Sequence, residues 1–133
     1  MSYSDPKYGL RRRIMMPMED DVGTTGQSVG MLSFKNKTKI YKFGIIPNDA
    51  DCIFATTSAF TLETDAGTDL GTWTPGHGTV GTGTATGKSI TATTVAAGKV
   101  IRVNITTAGS SGSVNYFVDV KEQFDATVDD ALT

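Results

Sequence analysis

Apolar and polar residues alternate with a period of two along much of this chain beyond residue 28. In VIRVNITT (100–107), Ile101, Val103 and Ile105 alternate with Arg102, Asn104 and Thr106; in SVNYFVDVK (113–121), Val114, Tyr116, Val118 and Val120 alternate with Asn115, Phe117 and Asp119. Successive side chains of a strand point to opposite faces, so each segment presents one apolar and one polar face. Runs of similar character occur at VGMLSF (29–34), KIYKFGII (39–46), CIFATT (52–57), AFTLET (59–64), TVGTGTA (79–85) and KSITATTV (88–95). They are rich in the β-branched and aromatic residues that suit a pleated surface, and helical spacing of apolar positions is nearly absent.

The connectors AAGK (96–99) and AGSSG (108–112) are short and contain glycine, which predicts that the last three strands form an antiparallel meander. Pro47-Asn48-Asp49 supplies a similar turn earlier. Short strands with one apolar face each are best satisfied by two sheets packed face to face, because a single open sheet leaves an apolar face wet. The expectation is therefore an all-β, two-sheet antiparallel sandwich of jelly-roll or immunoglobulin-like type, with a small β-barrel as the alternative. Its body spans residues 29–121, between an extended N-terminal arm and linker (1–28) and an acidic C-terminal tail (122–133).

The chain has 133 residues, which suits one domain, and a net charge of −2. Its pI is near 5.2, so no global basic field favours nucleic acid. No segment approaches the roughly 18 to 20 apolar residues of a membrane-spanning helix, and no early apolar run suits a signal peptide. The expected setting is a reducing cytosol, in which the sequons at Asn36 and Asn104 stay idle. A single cysteine, Cys52, cannot form an internal disulfide and reads as a small core residue beside Ile53 and Phe54.

The first 28 residues concentrate charge. Arg11, Arg12 and Arg13 are followed by Met15, Met16, Pro17 and Met18, then by Glu19, Asp20 and Asp21. Pro6 and Pro17 interrupt any helix, and the glycine-rich stretch 23–28 reads as a linker. Arginine pairs carboxylates bidentately and methionine fills irregular apolar gaps, so Arg11, Arg12, Arg13, Met15, Met16 and Met18 are the candidate partner-binding residues. A solvated, self-neutralising tail is the competing reading. Glu122, Asp125, Asp129 and Asp130 make the other end acidic, which suits subunit contacts or a second solvated tail.

Residues 76–89, GHGTVGTGTATGKS, imitate two nucleotide-binding loops. Gly76, Gly78 and Gly81 spell GxGxxG, but that motif works between a buried strand and a helix, with an acidic residue about 20 positions on. Here Pro75 precedes it, no helix-forming stretch follows, and neither Asp nor Glu occurs between Asp69 and Asp119. A P-loop ending in Gly87-Lys88-Ser89 needs its first glycine where Thr82 stands. Neither loop is functional on this reading.

The only histidine, His77, lies in the same glycine-rich stretch with no positioned nucleophile, and one Cys with one His cannot complete a zinc site. Glu63, Asp65 and Asp69 lack the spacing of a calcium loop and read as a solvated turn. No catalytic, metal or cofactor site is expected, and the chain is read as a non-enzyme. Trp73, in LGTWTPG, reads as an aromatic near the surface of a loop. It either caps the sandwich, contacts a neighbouring subunit or stacks on a sugar ring.

The N-terminal arm, the Thr/Gly-rich β body and the stretch VAAGKVIRVNITTAGSSGSVNYFVDV (95–120) together resemble the capsid decoration, or cement, proteins of tailed bacteriophages. The resemblance implies a virion protein, assembled in the host cytoplasm, that sits on the capsid surface. Such a protein bridges major capsid protein subunits, often as a homotrimer, with no nucleic acid, membrane or cofactor involved. The alternative function is a carbohydrate- or receptor-binding β module of a tail or fibre protein, working through Trp73.

Overall fold

The computed structural model describes residues 10–21, 25–26, 28–48, 50–108 and 113–123. Ten strands run through them: β1 (Arg12–Asp21), β2 (Ser28–Ser33), β3 (Thr38–Pro47), β4 (Cys52–Phe54), β5 (Ala59–Thr64), β6 (Asp69–Trp73), β7 (Gly78–Val80), β8 (Thr86–Val95), β9 (Val100–Thr107) and β10 (Ser113–Glu122). Every pairing is antiparallel. The fold is all-β, as the alternation predicts, but it has three sheets rather than two and none closes into a barrel. The orders are β1-β10-β3-β8, β2-β9-β5-β6 and the two-stranded β4-β7.

The pairings follow one rule. The first strand lies beside the last, the second beside the ninth, the third beside the eighth, the fourth beside the seventh, and the fifth beside the sixth. The chain is thus one ribbon folded back at the β5–β6 turn, with its rungs distributed over the three sheets. Contacts of β10 with β3 and of β5 with β9 complete the two larger sheets. The small third sheet is the fourth rung, set between β3/β8 in one layer and β5/β6 in the other.

This arrangement corrects the expected meander. β8 pairs with β3, β9 with β2 and β5, and β10 with β1 and β3, so these three strands do not pair with one another. β9 and β10 have inward apolar faces, whereas β8 fully buries only Val95; because β8 and β9 belong to different four-stranded sheets, the 96–99 turn carries the chain from one layer to the other. Gly98 adopts φ 78° there, a conformation glycine takes without strain. Its N–H donates to the Phe34 carbonyl at 2.8 Å, tying the turn to the end of β2.

Two expected strands are shorter than their runs. The 52–57 run stops after Phe54, where Ala55 N donates to Ser58 Oγ (2.9 Å) and Ser58 N donates back to Ala55 O (3.1 Å). The 79–85 run stops after Val80 in a turn closed by Thr84 N donating to Gly81 O at 3.0 Å. Conversely, β6 occupies a segment read as turn and loop. Part of the segment read as an arm, Arg12–Asp21, is the edge strand of the first sheet, interrupted by a bulge between Met15 and Glu19.

The two four-stranded sheets face each other over one core. Ile40, Phe43, Ile45, Val114, Tyr116, Val118 and Val120 meet Val29, Phe60, Leu62, Ile101, Val103 and Ile105. Phe43 and Phe60 hold Trp73 at ring separations of 6.3 and 5.5 Å, and Phe54, from the small third sheet, closes on it at 5.4 Å. The Phe43 and Phe54 contacts are edge-to-face and the Phe60 contact is tilted; aromatic packing of this kind adds to the gain from area burial.

Candidate functional site

On the first sheet, rows of side chains cross the strands on the face away from the core. Arg13, Asp119, Lys42 and Ser89 stand opposite one another in register; the next row is Met15, Phe117, Gly44 and Gly87; a third contains Lys121, Lys39 and Thr94. The rows between them, such as Ile14–Val118–Phe43, turn inward. Tyr41, the extra residue of a bulge in β3, joins the outer face, with Arg11 and Lys121 over its ring at 4.6 and 5.9 Å. Arg11, Arg13, Lys39, Lys42 and Lys121 thus gather on one sheet face of a chain whose net charge is negative. Lys39 and Lys121 stand directly opposite one another.

A ring and two glycines shape this face. Phe117 is fully buried although it lies outside the main core, because it is covered from the solvent side. The Arg13 guanidinium lies 4.0 Å from its ring centroid. The absence of a side chain on Gly44 makes room for its edge: a Cβ there would stand 2.8 Å from Phe117 Cζ and 2.7 Å from Gly87 Cα. A Cβ on Gly87 would likewise run into the Phe43 carbonyl. The glycine of the GKS triplet therefore permits close approach of β8 to β3.

Of the arginines of the sequence reading, Arg11 and Arg13 lie on this surface, whereas Arg12 stands opposite Val120 in an inward row at the sheet edge, and each is held by its own chain. Arg11 stacks on Tyr41, and Arg12 pairs with Glu122, which also accepts from Asn36 Nδ2 at 3.2 Å. Arg13 grips Asp119 through both carboxylate oxygens, Nε to Oδ1 at 2.8 Å and Nη2 to Oδ2 at 3.1 Å. That hydrogen bond raises the Arg13 pKa, so its charge persists at any working pH. Met15 is 42% exposed beside Phe117, whereas Met16 is in the core at 3% and packs against Gly30. The Met18 side chain lies outside the described residues.

Trp73 is not at the surface of a loop. It ends β6, is 7% exposed, and is enclosed by Phe43, Phe54 and Phe60. A ring so enclosed has no free face for a sugar or a neighbouring subunit. Cys52 is buried, and burial pushes its thiol up to about 11, which keeps it neutral and unreactive at physiological pH. Glu63 accepts from Arg102 Nε at 3.0 Å and is buried, while Asp65 and Asp69 are exposed. No group of His, Cys, Asp or Glu among the described residues is arranged to hold a metal ion.

Sequence reasoning missed Lys39, Lys42 and Lys121. The signal was present in the alternation, since these lysines occupy polar positions of two strands; only the β3–β10 register places them side by side. No protein-family model matches the chain, and no curated protein matches it.

Proposed function

We propose that this protein is a structural component of a phage particle, a cement or decoration protein that binds the outside of the capsid and bridges major capsid protein subunits. The observation that carries the reading is the cationic outer face of the β1-β10-β3-β8 sheet. Lysines and arginines ordered on a rigid sheet suit an acidic protein surface, which they would attract at long range and hold in register. The nested strand pairing supports a jelly roll, a double-sheet architecture that recurs in viral capsid and lectin domains. The cement resemblance of the sequence points the same way, and a homotrimer is the assembly it implies.

Protein suits this face better than nucleic acid. Arg13 already covers the Phe117 ring, and Arg11 and Lys121 lie over Tyr41, so these rings are taken as stacking platforms for bases. Asp119 stands among the cations, as mixed charges do on a protein-binding surface.

Removal of residues 1–28 would be a poor test, because it takes β1 from the sheet and uncovers Phe117. The charge-reversed variant Lys42→Glu/Lys121→Glu keeps every strand. It is expected to fold, with a modest loss of stability because position 42 faces Asp119, and to bind particles at least about a hundredfold more weakly, with wild-type binding falling as salt rises. A folded double variant that coats particles as well as wild type would overturn the proposal.

A further inference from the structure

At the fold-back of the ribbon, the β5–β6 turn and the end of β8 bound a cleft of about 330 Å3. It lies on the seam between β6 and β8, the two strand edges that end the larger sheets. Where Gly71 meets Ile90 the seam is closed, since a Cβ on Gly71 would run into the Ile90 side chain. Toward the turn it opens over an apolar floor of Leu70, Val95 and alanine methyls. Thr68 and Asp69 come from one side, Thr94 and Lys99 from the other.

The polar lining divides into committed and uncommitted groups. Thr64 Oγ1 accepts from Thr68 N at 3.2 Å and Thr93 Oγ1 donates to Thr91 O at 2.8 Å, so these hydroxyls serve the local backbone. The side chains of Thr68, Asp69, Thr94 and Lys99 make no hydrogen bond or ion pair with the described residues. These four residues are exposed at the rim, so polar groups without partners among the described residues border a concavity whose floor holds Leu70 and Val95; small-molecule sites have volumes from roughly 300 Å3 upward.

We infer that this cleft binds a neutral monosaccharide. One carboxylate and one ammonium cancel, which disfavours a phosphate, a polyamine or any other strongly charged ligand. Asp69 accepts two hydroxyl hydrogen bonds, Lys99 donates to ring or hydroxyl oxygens, and the threonine hydroxyls do either. The methyl-lined floor suits the C–H face of a pyranose. This site is on a different part of the molecule from the cationic sheet face, and Trp73 has no part in it.

The test is an NMR titration of the 15N-labelled full chain with neutral hexoses and N-acetylhexosamines, with glucuronate, glucosamine and free amino acids as charged controls. The expected result is saturable shifts at residues 66–70 and 93–99 with at least one neutral sugar. Asp69→Asn and Lys99→Ala should each weaken that sugar about tenfold, the size of one charge-assisted hydrogen bond, while Lys42→Glu/Lys121→Glu leaves it unchanged. Shifts confined to other regions, no saturable shift with any neutral sugar, or tighter binding of a charged control would overturn the inference. So would variants with unchanged affinity.

Discussion

Replacing Trp73 by alanine removes a ring shared by Phe43, Phe54 and Phe60. The expected cost is about 3–5 kcal/mol of stability, read as a lower denaturation midpoint, with particle binding of the folded fraction unchanged. Stability near wild type with lost binding would instead make Trp73 an interface residue. Local composition misled at this position: Gly71, Thr74 and Pro75 are turn formers, while the burial of the ring is decided by strands distant in sequence. Arg12 and Arg13 behave likewise, since their partners Glu122 and Asp119 lie 110 and 106 residues away. Their charge and bidentate capacity were legible, but the identity of the partner was not.

At the scale of elements, the glycines separate into those that turn the chain and those that let strands touch. Gly44→Ala brings a methyl against Phe117 and against the Thr86 carbonyl, and should cost about 2–3 kcal/mol or more by overpacking. Gly76→Ala meets no atom within 4 Å but must hold φ 79°, so about 1 kcal/mol is expected. Thermal denaturation of the two variants checks the order, and a larger loss for Gly76→Ala would contradict it. The strands whose alternation is regular, β9 and β10, were legible to within a residue. β1 was hidden by Pro17 and by a bulge that breaks its alternation, and β6 by its glycine and short length. The meander failed because short turns join strands between layers as readily as within one.

At the scale of the whole molecule, the folded-back ribbon puts β1 and β10, the first and last strands, side by side, and with β3 they build the cationic face. All-β class and antiparallel pairing followed from the sequence because they depend on local alternation. The three-sheet arrangement and the lysine cluster did not, because both depend on which strand lies beside which. If this face fixes many copies of the protein to a capsid, as proposed, quantitative mass spectrometry of purified phage particles will count them. Copy numbers of the same order as the major capsid subunit, on the order of hundreds per particle, are expected; absence from the particle, or only a handful of copies, would overturn the cement role.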